Sequence, residues 1–376
     1  MKVEIFSLSI PFITHPPSDW ENQWDVQLYV KLSDEESYGW GESLIAGSGI
    51  IGAYSSIIRE LIKPLIEEKY NIRSPFEFEE VFEKIMFSAG NCGIVTGAIS
   101  AVEMAMWGLK ARKMKIPLYE LFGGKIKDYV KVYGSFPRFS KIDDLIKAVE
   151  FTVNKGFDFI KLHQPPSTTL EAVKAVRERF KEIKIAVDLN SPFDLSEAKN
   201  FADKIARYEV EWIEEPLWPP NDYFALEKLT KVSPVPIAAG ENEYTLYGFR
   251  KLLESGVSYI QPDVAKIGGI SKFLKVLDLA SSYGVKVAPH DRPDSSIVSL
   301  IYTLNLALTR NEIKIVEYPI SDLPKDLFNE PTFEKGYVRP PENIEINNSI
   351  LNKYSYINRI RVLHFSDLND KLIKYG

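Results

Sequence analysis

At 376 residues the chain is longer than one hydrophobic core usually serves, so two domains are expected. A formal net charge of -6, a pI near 5.5 and the lack of any Lys/Arg block argue against a nucleic-acid or anionic-membrane surface, which needs a concentrated basic patch. Cys92 is the sole cysteine and cannot form an internal disulfide, no apolar run approaches the roughly 18 residues of a membrane span, and Glu4 interrupts any signal-peptide pattern, so a cytoplasmic protein is expected.

In chain order, Lys2 to Ile10 and Trp24 to Leu32 are rich in β-branched and aromatic residues and read as strands, with Asp34-Glu35-Glu36 turning the chain toward a third, Tyr38 to Glu42. Between the first two lies a polar loop, His15 to Trp24, with two prolines and two tryptophans, suited to covering a site. Gly47-Ser-Gly49-Ile-Ile-Gly52 formally matches a dinucleotide fingerprint. The helices expected next (55 to 66 and 75 to 87) leave no second parallel strand with a ribose-binding acid, so a flexible glycine loop is the better reading. From Thr96 to Lys113, Ala98, Val102, Ala105, Met106 and Leu109 recur at helical spacing and predict a buried helix. Paired Gly123 and Gly124 then mark the exit from the first domain.

From Tyr129 the pattern becomes a strict alternation. Strands are expected at 130–135, 157–162, 183–188, 212–215, 236–240, 259–262, 285–289 and 313–317, with helical segments at 145–155, 170–180, 197–208, 223–229, 246–254, 270–283 and 295–308. This predicts an α/β fold built on a (β/α)8 TIM-type barrel, with active-site residues at the C-terminal strand ends. A capping domain over 1–127, the barrel over 128–320 and a segment 321–376 returning to the cap, with a strand at 360–364, complete the expected organisation.

Three consecutive strand ends carry acids: Asp188, Glu214 and Glu241, separated by 26 and 27 residues, one βα unit each. Parallel strands would bring them together, and converging carboxylates need a positive partner, most simply a divalent metal such as Mg2+. Alternatively each acid caps the helix that follows it, a reading weakened by the matched spacing. Other strand ends are also polar: Lys161-Leu-His163, Gln261-Pro-Asp263, His290-Asp291 and Glu317. Residues two apart on a strand share a face, so Lys161 points with His163 and Asp188 with Asn190. Acids for a cation, bases for a proton and an Asp and His able to pair form an inventory for metal-assisted proton abstraction beside a carboxylate. A lysine flanked by a metal would have its charged form disfavoured and could act as the base, whereas an imidazole titrates near neutrality without a large shift. Lys266 is a candidate pocket residue ahead of Gly268-Gly269, and His15, Trp20 and Trp24 are candidates either for substrate contact or for cap core.

These residues resemble the enolase superfamily, specifically its mandelate racemase-like branch, and the likeness covers barrel and cap. The resemblance implies one Mg2+ held by Asp188, Glu214 and Glu241, the last two within Glu-Glu-Pro and Gly-Glu-Asn motifs, with Glu215 the less suitable member of its pair. It also implies an Asp263-His290 dyad, Lys161 facing it, and Glu317 hydrogen-bonded to a substrate oxygen. One departure stands out: the branch carries Lys-x-Lys on its second strand, where this chain has Lys161-Leu-His163. Either His163 is the base with Lys161 polarising the carboxylate, or the dyad acts alone. The implied function is a dehydratase of a sugar acid giving a 2-keto-3-deoxy product, with Asn190, Lys266, His15 and Trp20 as substrate-binding candidates. A racemase or epimerase on the same site, a Schiff-base aldolase on Lys161 and a non-catalytic metal-binding barrel are the alternatives. Expected partners are a small-molecule carboxylate and further copies of the chain, with no nucleic acid and no membrane.

Overall fold

The computed structural model describes residues 1–21, 24–44, 50–69, 72, 74–292 and 296–356. Asn22, most of the glycine loop and the strand expected at 360–364 lie outside these. The chain opens on an antiparallel meander of β1 (Lys2–Ser9), β2 (Val26–Ser33) and β3 (Tyr38–Ser43). Asp34 makes the turn between the last two, its Oδ1 accepting from the backbone N–H groups of Glu36 at 3.1 Å and Ser37 at 3.0 Å.

Helices α1 (Ile51–Ile57), α2 (Pro75–Ile85) and α3 (Ile94–Met114) cover this sheet, and α1 runs on through two π-helical turns, Ile58–Ile62 and Leu65–Lys69. Ser74 caps α2, its side chain accepting from Glu77 N, with Pro75 in the first turn. Close packing of α3 on β3 explains the spacing Gly39-Trp-Gly41: a Cβ at either glycine would collide with the carbonyl of Ala105 or Ala101. By length and hydropathy α3 matches a membrane span, yet 89% of its apolar window is buried inside the protein, so it is the cap's core helix. A short α4 (Leu118–Leu121) leads out.

Eight parallel strands follow: β4 (Val130–Ser135), β5 (Phe159–Leu162), β6 (Lys184–Asp188), β7 (Ile213–Glu214), β8 (Ile237–Ala239), β9 (Tyr259–Ile260), β10 (Lys286–Val287) and β11 (Val316–Pro319). Each pairs with the next through β10, β11 pairs with β4, and a parallel bridge between Val287 and Ile313 closes the ring. Between strands run α5 (Ile142–Lys155), α6 (Pro166–Arg179), α7 (Leu195–Ile205), α8 (Tyr223–Val232), α9 (Leu246–Glu254), α10 (Ile270–Tyr283) and α11 (Ile297–Ala307). After β11 no α-helix follows among the described residues; an antiparallel hairpin of β12 (Thr332–Glu334) and β13 (Tyr337–Arg339) adds instead to β4. The chain then returns to the cap, where Tyr356 N donates to Ser7 O at 2.8 Å and Arg112 pairs with Glu345 at 2.8 Å.

The barrel interior is layered. Tyr133, Phe159, Ala186, Trp212, Ala238, Ala288 and Ile315 form a separate apolar cluster, with Trp212 ring centroids 5.0 Å from both Phe159 and Tyr259. Because strand side chains alternate, residues two positions further on face the same interior one layer higher. Those are Ser135, Lys161, Asp188, Glu214, Gly240, His290 and Glu317. The aromatic floor is buried, and the polar layer sits directly above it.

Candidate active site

Asp188, Glu214 and Glu241 each offer an oxygen within 4.8 Å of the others. Glu241 joins them from one residue beyond its layer because Gly240, at φ 129°, redirects the strand end. Each carboxylate is held from behind. Glu214 Oε1 accepts from Lys161 Nζ at 2.6 Å, and its Oε2 from Trp212 Nε1 at 3.1 Å and Gln261 Nε2 at 2.5 Å, leaving one lone pair on Oε1 for the centre of the cluster. Asp188 Oδ1 accepts from the backbone N and side-chain Nδ2 of Asn190 at 2.9 and 2.7 Å, and Glu241 Oε1 from Asn242 Nδ2 at 3.0 Å. Glu215 turns away, its Oε1 accepting from Gly240 N at 2.9 Å and its Oε2 from Ser191 Oγ at 3.3 Å. Three converging oxygens with no softer donor suit a hard divalent cation. Burial pushes the Glu214 carboxyl up to about 8 despite the Lys161 ammonium beside it, and a cation among the three acids would favour its ionised form.

Lys161 is enclosed by three carboxylates. Its ammonium is fully buried, 2.6 Å from Glu214 Oε1, 2.9 Å from Glu317 Oε1 and 3.7 Å from Asp188 Oδ2. Burial disfavours the charge, but the Glu214 and Glu317 carboxylates outweigh it and hold its pKa well above the ordinary lysine value. Glu317 is likewise committed inward, accepting from Ser135 Oγ at 2.5 Å and, through Oε2, from Asp291 N at 3.2 Å. Glu317 is thus bonded beneath the cluster, and neither it nor Lys161 is among the residues lining the cavity above it.

That cavity, of about 180 Å³, is where the remaining candidates meet: His163, Asp188, Asn190, Glu241, Lys266 and His290 all line it. Both imidazoles are held at Nδ1 by an acceptor. His163 Nδ1 lies 2.6 Å from the Phe136 carbonyl, which can only accept, so Nδ1 carries hydrogen and Nε2 faces the cavity, 3.1 Å from Asp188 Oδ2. His290 Nδ1 donates to Asp263 Oδ2 at 2.6 Å, directing its Nε2 to Glu241 Oε2 at 3.1 Å. Burial would lower the His290 pKa, but the Glu241 and Asp263 carboxylates lift it to about 10.

The cap closes the cavity with Trp20, Trp24 and Leu44, and the Trp20 ring sits 5.4 Å from that of His163. His15 is elsewhere: it pairs with Asp322 at 2.9 Å on the outer surface and packs on Phe151, so a substrate contact by His15 is corrected. Leu44, Asn242 and Arg292 also line the cavity and carried no separate signal in the sequence, though Asn242 and Arg292 sit within two residues of Glu241 and His290.

Comparison with known proteins agrees with this geometry. Residues 25–123 match the mandelate racemase/muconate lactonizing enzyme N-terminal domain, and residues 144–346 the enolase C-terminal domain-like family. A protein of Caldivirga maquilingensis with a provisional L-rhamnonate dehydratase name is 31% identical over 87% of this chain and 82% of its own length. The L-talarate/galactarate dehydratase of Salmonella typhimurium is 31% identical over 68% of this chain and 64% of its own length. Among solved structures, the 3,6-anhydro-D-galactonate cycloisomerase of Zobellia galactanivorans shares the fold at a TM-score of 0.82 and 22% identity, covering 95% of this chain and 99% of that one. The chain belongs to the mandelate racemase/muconate lactonizing enzyme family of the enolase superfamily, a family of metal-dependent enzymes in which the two dehydratases above are hydro-lyases.

Proposed function

We propose that the chain is a Mg2+-dependent dehydratase of sugar acids, removing the proton α to a carboxylate and the 3-hydroxyl to give a 2-keto-3-deoxy acid. One observation carries the reading: two imidazoles held at Nδ1 point their Nε2 atoms into the same cavity, each beside a different carboxylate of the three-acid cluster. The sugar-acid dehydratase names among its relatives support the substrate class.

Asp188, Glu214 and Glu241 would hold the ion, which supplies a site for the substrate carboxylate and offsets the negative charge that develops when the α-proton leaves. His163 Nε2 takes that proton, its Nδ1–H anchored on Phe136 O as charge develops on the ring. His290, as the imidazolium, gives its Nε2 proton to the departing 3-hydroxyl, so water leaves as the C2–C3 double bond forms and the enol then ketonises. Asp263 holds the imidazolium in place, and Lys161 keeps the buried acids from repelling one another. Trp20 and Trp24 exclude bulk water from above.

The test is a screen of aldonic and aldaric acids with Mg2+ and a keto-acid readout, with C2–H exchange followed in D2O. Full turnover after His290→Ala, or after complete removal of divalent metal, would sink the reading. The same two imidazoles also suit a two-base epimerase, and product analysis separates the two: inverted configuration with no keto acid released.

A further inference from the structure

Resting on the metal-centre part of the reading above, we infer that Glu215 is a positioning residue that sets the aim of all three cation ligands, and through them the size of ion the cluster accepts. It follows Glu214 on the middle one of the three strand ends and makes one main-chain and one side-chain bond to each neighbour. Toward β8 its N donates to Ala238 O at 3.0 Å, and its Oε1 accepts from Gly240 N at 2.9 Å. Toward β6 its O accepts from Ser191 N at 2.6 Å, and its Oε2 from Ser191 Oγ at 3.3 Å. Gly240 directly precedes Glu241, and Ser191 lies three residues past Asp188. One buried side chain therefore joins the three segments that carry the ligands.

The backbone at these joints is held where L-residues resist going. Strand alternation would send the Glu215 side chain away from the barrel interior, since Glu214 points inward. Instead φ is 42° at Glu215, 51° at Asn190 and 57° at Ser191, all in the left-handed region. Such conformations persist only where neighbouring bonds over-determine them, and the Glu215 carboxylate supplies two of those bonds. The amide of Gly240 follows the last residue of β8, Ala239, and a carboxylate bonded there fixes the bend that brings Glu241 into the cluster. Without that side chain the ladder bonds remain, while the turns after Asp188 and before Glu241 lose a tether each. Mg2+ demands short, regular coordination and Ca2+ accepts longer, variable contacts, so loosened ligands disfavour Mg2+ more.

The test is calorimetric titration of the metal-free full-length protein with Mg2+ and with Ca2+, without substrate, so the metal results decide this inference whatever a keto-acid screen returns. Glu215→Ala should weaken Mg2+ binding by about ten- to hundredfold and Ca2+ binding by less, lowering the preference for Mg2+. Glu215→Gln keeps both contacts, its amide oxygen accepting from Gly240 N and its amide nitrogen donating to Ser191 Oγ, and should hold Mg2+ affinity to within about threefold. Ser191→Ala removes one tether only, which guards against a folding defect in Glu215→Ala, and should shift the Mg2+ to Ca2+ ratio in the same direction by a smaller factor. Thermal unfolding in EDTA accompanies each variant. Unchanged Mg2+ binding in Glu215→Ala, or equal losses for the two ions, would overturn the inference and leave Glu215 a general support of the fold. So would a Glu215→Gln protein as weak for Mg2+ as Glu215→Ala, since the charge and not the pair of bonds would then matter. An unmodified protein that binds neither ion would overturn the metal centre and this inference together.

Discussion

Replacing Lys161 by Met separates a buried counter-ion from a catalytic base. The ammonium touches Glu214, Glu317 and Asp188 at 2.6, 2.9 and 3.7 Å with no exposure to solvent, so its removal strands three acids in a low-dielectric layer. Breaking a buried pair in this way costs about 3–5 kcal/mol. The loss should appear in the metal-free protein. Two of the three carboxylates belong to the cation cluster, so a bound dication can take over part of the neutralising role, and a competing positive charge has gone. Mg2+ should therefore bind the variant more tightly, by about tenfold or more if only 1.4 kcal/mol of the repulsion is recovered. Saturation at about 100 times the dissociation constant adds about 2.7 kcal/mol to either protein, and more to the variant at equal free metal. The assay is thermal unfolding in EDTA and in Mg2+, paired with calorimetric Mg2+ titration and C2–H exchange in D2O. A variant of unchanged stability that binds Mg2+ normally but no longer exchanges the α-proton would refute the reasoning and make Lys161 the base.

Other perturbations divide the chemistry further. His163→Asn should abolish both C2–H exchange and keto-acid release, whereas His290→Asn should keep exchange and lower keto-acid release by about 10²–10⁴-fold, measured by NMR and by a keto-acid assay on the same samples. Removal of divalent metal with EDTA should stop turnover, and Mg2+ should restore it; activity that survives exhaustive chelation contradicts the assignment of Asp188, Glu214 and Glu241. Glu103, buried in α3, accepts from Ile270 N at 2.7 Å, Ser271 N at 2.9 Å and Trp107 Nε1 at 2.7 Å, and burial pushes its carboxyl from an ordinary 4.5 up to about 7. The folded state then binds the proton more tightly than the unfolded chain, so this group's contribution to stability falls as pH rises from about 4.5 to about 7. Glu103→Gln should remove that slope and cost roughly 1–3 kcal/mol at low pH by facing amide hydrogens at N–H donors; urea titrations across the range decide it.

Much of the barrel was legible because its signal is local. Ile185-Ala-Val-Asp188 and Trp212-Ile-Glu214 each state a buried strand and its polar end within a few residues, and the two-residue alternation places the acid above the core residue that precedes it. What a side chain does once there depends on strands distant in sequence. Lys161 looked available from its own strand, and only Glu214 and Glu317, 53 and 156 residues away, show that it is enclosed. The same holds for His15, whose polar loop suggested a lid; its neighbour Asp322 comes from beyond the last barrel strand and draws it to the surface. The hairpin of β12 and β13 replaces an eighth helix because Thr332 to Glu334 and Tyr337 to Arg339, joined through Lys335 and Gly336 at positive φ, find a free edge on β4. That edge is Val130 and Lys131, ahead of the β4 residues that pair with β5 and β11.

The attachment of the cap follows from the same helix ends that shape the mouth. The unpaired N–H groups at a helix N-terminus attract an anion, and here two buried cap carboxylates supply it. Glu103 meets α10 at Ile270 and Ser271, and Glu42 at the end of β3 accepts from Val298 N and Ser299 N of α11, both at 3.1 Å. Gly269 is thereby explained, since a Cβ there would strike the Glu103 carboxylate. These two helices follow the strands that deliver Asp263 and His290. Ser299 also donates to Asp291 Oδ1 at 2.8 Å, beside His290, so the hold of the cap on α11 is continuous with the loop that carries the acid and Arg292. Sliding the cap would disturb His290 before it disturbed the carboxylate cluster on β6, β7 and β8. Substitutions in Trp20, Trp24 and Leu44 should therefore retune which acid is accepted, whereas substitutions in Glu42 should reach the elimination step while leaving the binding of metal intact.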